Sequence, residues 1–184
     1  MGSRCRARAR SACLRSRARL CRPLPSRQGP FPRAKPQDAL RTAQASSVTE
    51  PDLDALFAAA TAVRARAHAP YSGFAVGAAL VDDAGGVHAG CNVENAAYPV
   101  GTCAEAGAIA AMIAAGGRQI RAILVLADSP APVTPCGACR QRIREFAGPD
   151  TPIVSAGPDG VRARYTLEQL LPASFGPEHF VHGT

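Results

Sequence analysis

Cysteine opens two segments of helical pattern in this chain, TCAEAG at Thr102–Gly107 and PCGACRQ at Pro135–Gln141. Cys136 and Cys139 stand about one helical turn apart on one face, the bite that a tetrahedral metal takes. Cys103 begins the other helix. A helix start carries partial positive charge and unpaired N–H groups, which lower a thiol pKa and donate to sulfur. Three thiolates can share one ion only if the two helix starts meet. The spacing from 103 to 136 is consistent with helix, strand, loop, helix, which brings both starts to one edge of a sheet.

The remaining pattern supplies such a sheet. Asp52–Ala69 reads as a helix, with Leu53, Leu56, Phe57, Ala60 and Val63 at helical spacing. Thr49 is its N-cap, Pro51 and Asp52 lie in the first turn, and Pro70 ends it. AVGAALVDD and VHAGCNVEN read as strands joined by a tight hairpin at Ala84-Gly85-Gly86. The next helix runs from about Cys103 to Ala115 and stops at Gly116-Gly117. IRAILVLAD is a nearly unbroken aliphatic run, the mark of a buried central strand. A loop over Pro130–Pro135 leads to a helix from about Cys136 to Phe146. PIVSAG and VRARYT are strands around a turn at Pro158-Asp159-Gly160, and Leu167–Leu171 is a short helix. The order α-β-β-α-β-α-β-β-α predicts an α/β fold with helices on both faces of a five-stranded sheet.

Charge divides the chain. Residues 1–47 hold 11 Arg and one Lys against Asp38 alone, and residues 48–184 hold 9 Arg against 13 acids. The formal net charge of +7 is therefore +11 on the first segment and −4 on the rest. A polynucleotide-binding domain needs its basic residues on the folded part, so nucleic acid is not expected as a partner. Residues 1–47 are rich in Arg, Pro and Ser and poor in apolar residues, which predicts a disordered extension ahead of a catalytic domain at 48–184. Three readings of the extension stand: a solvated tail, a mitochondrial-type transit segment, or codons upstream of a start at Val48. The proline cluster from Pro23 to Pro36 counts against an amphipathic transit helix. No apolar run suits a secretory signal or a membrane span. The seven cysteines are an odd number, which fits reduced thiols and a cytoplasmic setting. Cys5, Cys13 and Cys21 recur without His or a CxxC pairing.

Spacing alone leaves three chemistries open for Cys103, Cys136 and Cys139. With three protein ligands and a fourth position for water, the site is a catalytic zinc. With a fourth protein ligand, from Cys91 or one of His68, His88, His179 and His182, it is a structural zinc. A CxxC can also be a redox pair. Glu105 follows Cys103 by two residues, and on a helix such residues point about 200° apart. It is thus placed away from the metal and free to carry protons.

The segment from Pro70 to Phe175 resembles the small, tetrameric-type cytidine deaminases. The residues that carry the resemblance are YSGFAVGAAL at 71–80, GCNVENA at 90–96, Tyr98-Pro99, Cys103-Ala104-Glu105, PCGACRQ at 135–141 and LLPASFGP at 170–177. The resemblance implies a three-layer α-β-α fold with a mixed central sheet, one zinc per subunit, and a homotetramer in the cytoplasm. It implies hydrolytic deamination of free cytidine and deoxycytidine in pyrimidine salvage, with zinc on Cys103, Cys136 and Cys139 and Glu105 as proton carrier. Phe74 and Val76 would flank the base, Ala104 would contact the pyrimidine through its backbone, and Asn92 and Glu94 would hold sugar hydroxyls. Tyr98 and Phe175 resemble residues that a neighbouring subunit contributes. A nucleoside-like antibiotic such as blasticidin S is the rival substrate, and a non-enzymatic zinc or redox module is the rival class. One departure stands out: the family commonly has Arg after the catalytic Glu, hydrogen-bonded to the zinc thiolates, and here that residue is Ala106. Arg140 is the expected substitute, reaching a sulfur.

Overall fold

The computed structural model describes residues 49–180. The extension predicted over 1–47 lies outside the described residues, as does His182. Helix α1 spans Glu50–Arg64, and strands β1 (Val76–Asp82) and β2 (Val87–Cys91) follow as a hairpin. Helix α2 (Ala104–Ala115), strand β3 (Ile120–Ala127) and helix α3 (Gly137–Arg144) come next. Strands β4 (Pro152–Gly157) and β5 (Gly160–Thr166) precede the short helix α4 (Leu167–Leu170). The predicted element order holds throughout. The strand order is β2-β1-β3-β4-β5. Only β3 and β4 run parallel, and the other neighbours are antiparallel, so the sheet is mixed.

Strand alternation divides the core into two layers. Ala79 and Val81 of β1, Leu124 and Leu126 of β3, and Val154 of β4 face α1, where Leu53, Leu56 and Ala60 meet them. Ala78 and Leu80, Ile123 and Val125, and Ile153 face the other way, against Ala108 and Met112 of α2 and Ile143 of α3. Strand β3 is covered on both faces, which is why its sequence is aliphatic at nearly every position. Two glycines let helices approach the sheet. A Cβ on Gly77 would stand 2.1 Å from the Ala60 carbonyl oxygen, and one on Gly90 would stand 2.5 Å from the Ala108 nitrogen. A core poor in aromatic residues can close only through such backbone-level contacts.

Helix α1 differs from its predicted span of 52–69. Thr49 caps it as expected, its hydroxyl accepting from the Asp52 N–H, but the helix ends at Arg64 rather than at Pro70. His68 is drawn away to pair beside Val93: its N–H donates to the Asn92 carbonyl at 3.1 Å, and its carbonyl accepts from Glu94 N–H at 2.8 Å. Strand β2 also ends early. Asn92 N–H still donates to the Val76 carbonyl at 3.2 Å, and beyond it the chain leaves β1: Val93 exchanges two backbone hydrogen bonds with Thr102, both at 2.9 Å. A 3₁₀ turn at Tyr98–Val100, which periodicity did not suggest, closes the loop between them. No described helix is long and apolar enough to cross a membrane.

Candidate active site

Cys103 and Cys136 stand at the N-caps of α2 and α3, one residue before each helix, with extended backbone. The predicted helices began on these cysteines. The one-residue difference frees both side chains from the helical rows, and neither makes a capping bond. Cys139 sits at the third position of α3, so its N–H is one of the four unpaired donors of the helix start. The three sulfurs lie within 4.8 Å of one another, and Cys103 Sγ is 3.9 Å from Cys136 Sγ. Two sulfurs on a tetrahedral zinc at about 2.3 Å are about 3.8 Å apart, so this donor set fits zinc. Among the described residues, no fourth protein ligand joins the cluster. Cys91 lies on β2 outside it, His88 bonds Asp82, and His179 bonds Gly176.

Electrostatics at the cluster disfavour uncompensated thiolates. Burial pushes the Cys139 thiol far above its ordinary value, and the charge of Glu105 pushes the same way. Burial also raises Cys103. At Cys136 burial acts upward too, but the Cys139 backbone N–H and the neighbouring thiols outweigh it, and the net direction is down. Glu105, in the first turn of α2, is only 4% exposed. Its carboxylate takes no hydrogen bond from another described residue and lies outside the sulfur cluster. A buried carboxylate without a protein partner is costly to keep. Here it stands where it can exchange protons with a molecule beside the sulfurs.

Cys103 also lines a cavity of about 480 Å³, whose wall includes Tyr71, Asn92, Glu94, Tyr98 and Thr102. Asn92 is held by β1: its Oδ1 accepts from Val76 N–H at 2.8 Å, and its Nδ2 donates to the Phe74 carbonyl at 2.9 Å. Its amide thus retains one N–H and one lone pair. Glu94 Oε2 accepts from the N–H groups of Tyr71 and Ser72 at 2.8 and 3.2 Å, and Oε1 accepts from the Ser72 hydroxyl. The Ser72 hydroxyl, then the Tyr71 N–H, hold the Glu94 carboxyl below the usual carboxylate range. The Ser72 oxygen accepts in turn from Phe74 N–H at 3.0 Å, which leaves its own proton for Glu94. Sequence reading assigned no role to Tyr71 or Ser72; the signal for them was their place in a tight turn just ahead of β1, closed by Gly73 at positive φ.

The structure gathers some of the expected residues and separates others. Cys103, Asn92, Glu94 and Tyr98 share the cavity. Phe74, Val76 and Ala104 do not line it: the backbones of Phe74 and Val76 bond Asn92, while Val76 and Ala104 pack toward the core. Phe175 lies on the C-terminal segment, 56% exposed, stacked on His179 at 4.9 Å and off this cavity. Asn92 and Glu94 are half-buried rather than fully buried. Arg140 makes no hydrogen bond to sulfur. Its guanidinium bonds three oxygens, of Pro135, Thr134 and Leu170.

Three cysteines and a free carboxylate at joined helix starts, on a mixed sheet covered by helices on both faces, define a zinc deaminase type of site. Comparison with known proteins agrees. The profile for the cytidine and deoxycytidylate deaminase zinc-binding region matches residues 51–155. A cytidine deaminase of Sporosarcina psychrophila is 41% identical over 127 residues, covering 69% of this chain and 93% of that protein. The crystal structure of a cytidine deaminase from Burkholderia pseudomallei is 45% identical, with a TM-score of 0.62, covering 66% of this chain and 98% of the other. One from Mycobacterium tuberculosis is 39% identical, with a TM-score of 0.59 and coverage of 68% and 98%. The chain belongs to the cytidine and deoxycytidylate deaminase family. It is an enzyme that hydrolyses an exocyclic C–N bond.

Proposed function

We propose that the protein deaminates free cytidine and deoxycytidine to uridine and deoxyuridine, as a step of pyrimidine salvage in the cytoplasm, and that it acts as a homotetramer with one zinc per subunit. The observation that carries this reading is the opening of the Cys103 end of the sulfur cluster onto the cavity that holds Asn92 and Glu94. Cys103, Cys136 and Cys139 hold the zinc. Bound zinc supplies Lewis acidity, which makes water a nucleophile near neutral pH. Glu105 accepts one proton from the attacking water and passes it to N3 of the pyrimidine, then takes the remaining proton from the hydroxyl on C4 and delivers it to the departing amine. Ammonia leaves C4, and oxygen takes its place.

The sugar is held by what the protein leaves unspent. Glu94, ionised and already accepting three bonds, retains acceptor capacity, and Asn92 retains one donor. A hydroxyl that donates to one and accepts from the other satisfies both. Phe74 lies beside the base, Val76 backs that wall, and the backbone of Ala104 meets the pyrimidine. Phe175, off this chain's cavity, serves the pocket of a neighbouring subunit, and Tyr98, 76% exposed on the wall of its own chain's cavity, serves a neighbour's as well. The family likeness supports that arrangement, and so does the exposure of both aromatic rings in a single chain. The test is the ultraviolet absorbance change of cytidine with purified protein, with and without a zinc chelator, alongside sedimentation of the native enzyme. No ammonia release from either nucleoside would end this reading.

A further inference from the structure

Arg140 follows Cys139 directly, and each of its three guanidinium nitrogens donates a hydrogen bond. Nε donates to the Pro135 carbonyl at 2.7 Å, Nη2 to Thr134 Oγ1 at 2.9 Å, and Nη1 to the Leu170 carbonyl at 2.8 Å. The first two acceptors belong to the loop that delivers Cys136, and the third closes α4. The arginine itself rides on α3, the helix that presents Cys139. One planar group, with donors in fixed directions, therefore holds the loop residues before Cys136 against the helix that carries the other sulfur.

We propose that Arg140 is a positioning residue for the metal: it presets the spacing of Cys136 and Cys139 by pinning Thr134 and Pro135 to α3. The assignment rests on the three-thiolate reading of the site. Residues 130–135 include three prolines and no regular secondary structure, so without the fork the loop must be ordered at the moment of binding, which weakens binding. Partners that orient metal ligands in this way are worth about 10–100-fold in metal affinity. Arg144, one turn further along α3, provides the internal contrast. It donates to Ser174 Oγ at 2.9 Å and pairs with Glu178, so it ties down the C-terminal segment and leaves the Cys136 loop alone.

The experiment follows zinc release from folded holoenzyme to a chromogenic chelator, with thermal unfolding run in parallel. Arg140→Ala is expected to release zinc at least about tenfold faster, and Arg140→Lys to recover little of the difference, because an ammonium cannot span three acceptors. Arg144→Ala is expected to stay within about twofold of the parent even where its Tm falls. Should Arg140→Ala fail to fold, Thr134→Val, which removes one acceptor, is expected to speed release severalfold. Parental release rates in Arg140→Ala, or in Thr134→Val where Arg140→Ala cannot be made, overturn the assignment. So does equal acceleration by Arg144→Ala. A parent protein that binds no zinc at all removes the three-thiolate reading instead.

Discussion

Cys103 Sγ and Cys136 Sγ lie 3.9 Å apart across the starts of α2 and α3, although 33 residues separate them in sequence. The strand between the two helices makes that approach. Strand β3 runs through the middle of the sheet, and its C-terminal end releases the chain into the loop that leads to Cys136.

Zinc uptake by the apoprotein is expected to release protons. Burial holds Cys103 and Cys139 above their ordinary thiol value, so both are protonated at neutral pH and both surrender a proton to the metal. Zinc affinity therefore rises as pH rises. Titrating zinc into weakly buffered apoprotein, with a pH electrode or by calorimetry in two buffers, reads the proton count. Zinc binding without acidification would contradict it.

Glu105→Gln is expected to keep its zinc and lose activity by about 10²–10⁴-fold, the usual contribution of a positioned proton carrier. Steady-state kinetics together with metal analysis of the same sample checks it. A variant that loses metal and activity together would mean that the carboxylate supports the site and does not move protons.

Ser72→Ala is expected to raise KM severalfold with little change in kcat, because it unlocks Glu94 without touching the sulfur cluster. The Ser72 hydroxyl is the first cause of the lowered Glu94 pKa, so its loss raises that pKa. A carboxylate with a depressed pKa stays ionised until pH falls through the depressed value. In the variant, the acid limb of kcat/KM should therefore move to higher pH. An unmoved acid limb would show that Glu94 ionisation does not govern binding.

Asp82 is expected to matter for stability alone. It is 4% exposed and caps the β1–β2 turn, accepting from the N–H groups of Ala84 and Gly86 at 3.0 and 2.7 Å and meeting His88 Nε2 at 2.8 Å. Asp82→Ala leaves those groups unpaired and should cost about 1–3 kcal/mol, read as a shift in denaturation midpoint with kcat unchanged. The His88 contact, and with it the two turn N–H groups, hold the Asp82 carboxyl below its ordinary value of 3.8, against the upward pull of burial. Its contribution is thus complete above that value and is lost as pH falls through the lowered one.

Much of the fold was legible before any coordinates. The apolar run of β3, the hairpin glycines and the two cysteine-bearing helix starts are local signals, and each appears where the pattern placed it, the helix starts to within one residue. The errors share one cause. Helix α1 stops at Arg64 because His68 pairs beside Val93, and the second strand of the hairpin stops short because Val93 bonds Thr102. Both partners are distant in sequence, so no window of helical or alternating spacing contains them. Arg140 was expected at a sulfur as the substitute for the family arginine that Ala106 replaces, but a half-buried guanidinium bonds whatever acceptors surround it, and those are oxygens.

The family was legible only as a resemblance of whole motifs; residue chemistry and local spacing by themselves determined the order of elements and the three thiols with a neighbouring carboxylate. These depend on side-chain type and on periods of two or 3.6 residues. Tertiary structure alone decided that the sulfurs converge, that Asn92 and Glu94 are held by the turn before β1, and that the Arg140 fork grips the Cys136 loop. Each of those facts is a meeting of residues from separate segments. Such meetings are set by how helices seat on a twisted sheet, and a linear pattern carries no record of that.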